Sequence, residues 1–380
     1  MKGSYYTGEY RNAFGRIGVS DAEAASRLDE IFDTMFYGDE SERVYHPVRP
    51  DMGYMEDTGN HDARTEGMSY GMMFCVQMDK KDEFDRIWKW SRTYMYMPEG
   101  RNSGYFAWSV DPSGEPNANG PAPDGEEYFA MALIFASHRW GDGDGIFNYS
   151  HEARELLHTM ISKESAGDGG RNMFDPDNHL IRFVPDLDFS DPSYHLPHFY
   201  ELFAENCYGE DAAFYKEATK ASREYLHRAC DPDTGMSAEY AHYDGTPYMP
   251  DKPFGRHDWY YSDAYRTVPN MVLDTLWFGT DEWQLEAIGN LQKFLDGKVS
   301  AQKGGVYLID GTPVEDTDAL HPVGMLASVA EGSAVLGGDL ADKYLETIWN
   351  TPLRTGDRRY YDNCLYFFAF LALTGHYRIW

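Results

Sequence analysis

Residues 125–139 read Gly125-Glu126-Glu127-Tyr128-Phe129-Ala130-Met131-Ala132-Leu133-Ile134-Phe135-Ala136-Ser137-His138-Arg139. Phe129, Leu133, Ile134 and Ala136 recur at the three- and four-residue spacing that lines one face of an α-helix. Residues 81–97 repeat the pattern with Phe84, Ile87, Trp88, Trp90 and Tyr94. The same unit, an amphipathic helix followed by a Gly- or Pro-rich loop, recurs along the chain. Helix starts fall near Asp21, Thr65, Lys81, Gly125, His151, Pro192, Ala212, Asp263, Asp281, Pro322, Ala341 and Tyr361. Strand signals are few and short, as in Val306-Tyr307-Leu308-Ile309. The loops differ in character. Those at 40–62, 99–123, 166–190, 231–261 and 299–320 are long and rich in Gly, Pro, Asp and aromatics, whereas 77–81 and 336–340 are tight. Compact domains rarely carry many long loops unless these form a functional surface. Paired helices with a long loop after every second one predict an all-α fold, an (α/α)6 toroid or barrel with its long loops forming a cleft at one end.

At 380 residues the chain exceeds the size at which single cores usually stop growing, roughly 250–300 residues, but closed toroids are an exception. No segment has the composition of a flexible linker, so residues 1–380 are read as a single domain. Sixty-three Asp and Glu outnumber 33 Lys and Arg, for a formal charge of −30. A surface of that sign repels phosphate backbones and argues against nucleic acid as a partner. Aromatic residues reach 16%, including 29 Tyr and 9 Trp, more than a core needs. Their flat faces and polar edges match the apolar faces and hydroxyl rims of sugar rings.

The opening Met1-Lys2-Gly3-Ser4-Tyr5-Tyr6 has no apolar stretch of the secretory type. The most apolar run, Leu365 to Leu373, is half the length of a membrane span. Cys75, Cys207, Cys230 and Cys364 are scattered and read as reduced, buried thiols. The expected setting is the cytoplasm, without membrane partners.

The sequence contains no phosphate-binding G-x-x-x-x-G-K loop, no H-E-x-x-H and no G-x-S-x-G. His195 and His198 straddle Pro197, an awkward frame for a metal pair. Asp142-Gly143-Asp144-Gly145 starts like a calcium loop but continues with Ile146 and Phe147, where a ligand and the turn glycine belong. No metal and no cofactor are expected. Acids at helix starts remain: Glu66 in Thr65-Glu66-Gly67-Met68-Ser69-Tyr70-Gly71-Met72-Met73, Asp124 in Pro123-Asp124-Gly125-Glu126-Glu127, and Asp263 in Ser262-Asp263-Ala264-Tyr265-Arg266. Each also has a purely structural explanation. First-turn acids favour the helix dipole, Asp124 with Glu127 matches a capping box, and Asp263 with Arg266 matches an i,i+3 ion pair.

Taken together and in order, the motifs resemble glycoside hydrolase family 8. The acid motif S/T-E-G-x-x-Y-G-M is matched by Thr65 to Met72, and D-G-x-x-x-x-A-x-A-L by Asp124 to Leu133. The D/N-P-S-Y turn is matched by Asp191 to Tyr194, D-A-x-R by Asp263 to Arg266, and Y-Y-D by Tyr360 to Asp362. The resemblance runs over roughly residues 10–376. Within the family, Asp62 to Met73, Asp191 to Pro197 and Leu320-His321-Pro322-Val323-Gly324 look most like the group that releases xylose from the reducing end of short β-1,4-xylo-oligosaccharides.

The resemblance implies an inverting hydrolase with Glu66 as general acid and Asp263 as general base. Tyr194 would share the attacking water with Asp263, Asp124 would hold the sugar of subsite −1, and Arg266 would orient the base. A helix N-terminus favours the charged form of Glu66, whereas a general acid must carry a proton. Desolvation by substrate and the nearby acids would oppose that. Trp108 is a candidate stacking platform, with Tyr54, Tyr360 and Tyr361 as weaker ones. The loop around Leu320 and His321 would close the cleft beyond the second aglycone subsite, limiting release to one sugar, although a Pro-started helix with Leu320 as its staple explains the same residues. Other readings are an endo-acting relative (xylanase, chitosanase or β-glucanase), a sugar epimerase on the same toroid, or a sugar-binding protein without turnover.

Overall fold

A computed structural model describes residues 2–250 and 255–380; positions 251–254 of the long 231–261 loop lie outside the described residues. The helices are α1 (Ser4–Thr7), α2 (Asp21–Tyr37), α3 (Thr65–Gln77), α4 (Lys81–Tyr94), α5 (Pro123–Trp140), α6 (Tyr149–Ser162), α7 (Pro197–Asn206), α8 (Ala212–Ala229), α9 (Thr267–Trp277), α10 (Trp283–Leu295), α11 (Pro322–Glu331), α12 (Asp339–Trp349) and α13 (Arg359–Leu373). From α3 onward the odd-numbered helices are buried on nearly every face, while α4, α6, α8, α10 and α12 bury one stripe. In α4 that stripe is Phe84, Ile87, Trp88, Trp90 and Ser91. α11 and α13 are buried along their whole length. An inner helix surrounded by protein alternating with an outer helix half in water is what a two-layered toroid requires.

Two positions depart from the sequence expectation. Pro192 opens only a 3-10 turn, Pro192–Tyr194, and the helix begins at Pro197. Asp263 lies in another, Ser262–Arg266, ahead of α9. Several long loops carry short antiparallel pairs: β1 (Tyr45–Arg49) with β2 (Met52–Met55), and β3 (Ala63–Arg64) with β4 (Ser109–Val110). β5 (Trp259–Tyr260), β6 (Gly305–Leu308) and β7 (Pro313–Asp318) form a three-stranded sheet in that order. Only β6 has an apolar run strong enough to be read from sequence.

Contacts divide the chain into two units. One contains Phe32–Asp188 and Phe199–Thr219, with Trp380. Its core is α3 packed along α5. A Cβ on Gly125 would lie 2.3 Å from the Thr65 side chain, so only glycine lets the start of α5 lie against the start of α3. The other unit contains the residues before Phe32, Phe189–His198 and Lys220–Ile379. There α11 packs along α13, and a Cβ on Gly324 would sit 3.0 Å from Leu365. No helix among the described residues is long and apolar enough to cross a membrane.

Candidate active site

In the unit built on α3 and α5, Glu66 is half-buried in the first turn of α3. Its helix is tied to the neighbouring loop by the Thr65 N–H, which donates to the Trp108 carbonyl at 3.0 Å. Asp124 stands in the first turn of α5, where Ala122 is the N-cap. It is 6% exposed and accepts the Gly125 N–H at 2.9 Å. Glu127, the proposed partner in a capping box, is instead fully buried and accepts the Tyr200 hydroxyl at 2.5 Å. Glu126, also fully buried, accepts the Phe106 N–H at 2.9 Å. Its carboxyl is pushed well above the ordinary range by burial and further by the Asp124 charge. That hydrogen bond anchors the chain two residues before Trp108.

Trp108 is presented on this anchored segment, just ahead of β4, with 38% of its surface exposed, and the Arg64 guanidinium lies 5.3 Å from its ring centre. Arg64 is held in turn by Asp62 at 3.0 Å and Asp57 at 3.2 Å. Tyr54 is placed differently. It is 8% exposed, with His46 stacked at 5.2 Å and Trp90 at 5.5 Å. These two neighbours give the Tyr54 ring a packing role.

In the second unit, Asp263 projects from its 3-10 turn with its side chain 32% exposed, and Arg266 reaches it at 3.3 Å. The i,i+3 pair expected from sequence is therefore formed. Arg266 also lies 3.9 Å from Asp191 and 5.4 Å from the centre of the Tyr194 ring. Asp191 caps the Pro192–Tyr194 turn through the Ser193 N–H at 2.7 Å, and Asn270 of α9 donates to the Ser193 carbonyl at 2.7 Å. These bonds fix Tyr194, which is buried beside Arg266. Burial, and then the Asp263 charge, push the Asp191 carboxyl well above its ordinary range, against the pull of Arg266. His195 is fully buried between the hydroxyls of Ser190 and Ser222, each at 2.9 Å. Burial lowers its pKa to about 3, so it is neutral and ties the turn to α8.

Sequence reasoning passed over two acids here. Asp191 lies within a quoted motif, but only its burial beside Arg266 distinguishes it. Glu239 carries no local pattern. It is 3% exposed and accepts His257 Nδ1–H at 2.9 Å and the Trp259 indole N–H at 2.7 Å. Burial and the Asp263 charge raise it to about 7, while the His257 bond works in the opposite direction.

Leu320 and His321 immediately precede α11. Leu320 is 38% exposed, which is not the burial of a staple, and its carbonyl accepts Arg354 at 2.7 Å. His321 Nδ1 lies 2.9 Å from Asp362, whose other oxygen accepts the Gly324 N–H at 2.7 Å. Tyr360 and Tyr361 are both buried, and the Tyr361 hydroxyl donates to the Ser262 carbonyl at 3.0 Å. Tyr361 thus supports the turn that carries Asp263. Among the described residues no three His, Cys, Asp or Glu side chains stand together as a metal site.

Acids thus stand in the first turns of α3 and α5 in one unit, and an aspartate held by Arg266 stands ahead of α9 in the other. Residues 50–375 match the glycosyl hydrolases family 8 profile. The chain belongs to that family, and its fold is the family's (α/α)6 toroid. It is 53% identical to the reducing end xylose-releasing exo-oligoxylanase of Halalkalibacterium halodurans, over 100% of this chain and 96% of that protein. It is 48% identical to the enzyme of the same name from Bifidobacterium adolescentis, over 96% of each. A solved structure of a Rex8A mutant from Paenibacillus barcinonensis, complexed with 3(3)-alpha-L-arabinofuranosyl-xylotetraose, is 52% identical with a TM-score of 0.97. That alignment covers 100% of this chain and 98% of the other.

Proposed function

We infer that this protein is an inverting glycoside hydrolase that releases xylose from the reducing end of short β-1,4-xylo-oligosaccharides. The observation that carries this reading is agreement at about half of all positions, over essentially the whole chain, with enzymes of that activity. Exposed Leu320, pinned by its carbonyl at the mouth of α11, supports the exo mode.

Inverting hydrolysis needs one carboxylic acid and one carboxylate about 6.5–9.5 Å apart, with water admitted between sugar and base. Glu66 is the acid and Asp263 the base. As water attacks the anomeric carbon, Asp263 takes its proton and Glu66 gives its own to the departing glycosidic oxygen. The glycosidic bond breaks as the new C–O bond forms on the opposite face. Glu66 then regains a proton from solvent and Asp263 loses one. Arg266 sets the orientation of Asp263, Tyr194 holds the water, and Asp124 holds hydroxyls of the sugar at which charge develops. Trp108 offers its exposed face to a further sugar.

Tyr194→Phe keeps the ring beside Arg266 and removes only the hydroxyl, so hydrolysis slows by about tenfold or more with stability unchanged. A wild-type rate in that variant would reassign Tyr194 to packing. The function itself is tested with xylotetraose tagged at its reducing end. The tag leaves with the first xylose, or blocks cleavage if bulky; early release of untagged xylose would place recognition at the other end.

The two interleaved units are read as one catalytic domain, because the chain passes between them repeatedly and the family match spans both. A cytoplasmic setting, in which imported oligomers are the substrate, is supported by four cysteines that form no disulfide.

A further inference from the structure

Ser262, the residue before Asp263, has φ of +34°, in the left-handed region that a residue with a Cβ disfavours. It follows Tyr261 in extended conformation, φ −152° and ψ 157°, and the turn is closed by the Ala264 N–H donating to the Tyr261 carbonyl at 2.9 Å. The turn therefore runs through Ser262 and Asp263, and the backbone at Ser262 helps to set where the Asp263 carboxylate lies. Such backbone persists only where its surroundings over-determine it. At Ser262 one such restraint is the Tyr361 hydroxyl, which donates to its carbonyl at 3.0 Å.

Tyr361 is itself fixed. Its ring is buried in the first turn of α13, with the His321 imidazole edge-on at 5.0 Å. His321 is bonded to Asp362, and Asp362 also receives the Gly324 N–H and Arg354. Arg354 in turn holds the Leu320 carbonyl. One cluster thus touches both the turn that carries Asp263 and the segment Leu320–His321.

We propose that Tyr361 is a positioning residue for Asp263, its hydroxyl holding the strained Ser262 carbonyl so that the carboxylate stays aimed at the attacking water. The proposal rests on the reading of Asp263 as general base. A sugar-stacking role would reside in the ring and would be indifferent to the hydroxyl.

The test is Tyr361→Phe, alone and with Ser262→Gly, assayed on xylotriose at a temperature where each variant is folded. Tyr361→Phe lowers kcat by about 10–100-fold, the scale of a small misplacement of a catalytic group, with KM changed by less than about threefold. Glycine adopts φ near +34° without steric cost, so adding Ser262→Gly restores kcat by about tenfold or more. Wild-type kcat in Tyr361→Phe, a loss confined to KM, or a loss that Ser262→Gly does not recover each overturns the proposal. Should Tyr361→Phe fail to fold, Tyr361→Phe with Ser262→Gly is compared with Ser262→Gly alone: equal kcat supports the proposal, because glycine at 262 no longer needs the restraint, and a further loss of about tenfold or more contradicts it. Asp263→Asn run in parallel separates the two failures. If it remains active, the base assignment has failed; if it is inactive while Tyr361→Phe turns over normally, only the role of Tyr361 has.

Discussion

Glu66→Gln and Asp263→Asn each lower kcat on xylotriose by about 10²–10⁴-fold, because each removes one half of the proton transfer. The fold survives both changes. Glu66 is only half-buried at a helix start, so its amide replacement leaves the packing of α3 on α5 untouched. Asp263 is 32% exposed, and its loss leaves Arg266 facing Asp191 at 3.9 Å. Removing the Asp263 charge also lets the Asp191 carboxyl ionise more readily, since that charge is part of what raises it. Arg266 therefore keeps a partner, and the buried cation is not abandoned. Steady-state rates and thermal unfolding of both variants check this. Activity within tenfold of wild type in either one would remove that residue from the catalytic pair.

The second large effect concerns which bond is cut. On the reading that Leu320 and His321 close one side of the cleft, replacing both with glycine lets polymeric xylan be cut internally. The share of internal cuts rises by about tenfold or more. The surrounding structure tolerates the change. Pro322 still opens α11, the backbone carbonyl at 320 still accepts Arg354, and Asp362 keeps Gly324 and Arg354 after losing the imidazole. The fall in viscosity of a xylan solution, set against reducing ends released, measures the shift. If the unaltered protein already lowers viscosity as fast as the variant, the exo reading fails, although the carboxylate pair can still stand.

What could be read from the chain depended on whether the signal was local. The one-sided helices declare themselves through 3.6-residue periodicity, as at Phe84, Ile87 and Trp88. The 3-10 turn at Ser262–Arg266 reads as a helix start because an acid followed by an arginine three residues later suits either geometry. Tyrosine is ambiguous for the same kind of reason. Its ring serves equally in a core and on a sugar platform, and only the structure shows Tyr54 against His46 and Trp90 and the Tyr361 hydroxyl on the Ser262 carbonyl. Glu239 was out of reach because its partners, His257 and Trp259, lie 18 and 20 residues away. The paired role of Arg266 depends on Asp191, from a different part of the chain.

The central claim, inverting hydrolysis from the reducing end, is tested most directly by time-resolved NMR of the unaltered protein acting on xylotriose carbon-13-labelled at its reducing anomeric carbon. An inverting reducing-end enzyme places the label in free xylose, and the xylobiose formed first carries its new reducing end as the α-anomer before mutarotation. First-formed β-xylobiose, or label retained in xylobiose, would contradict the account.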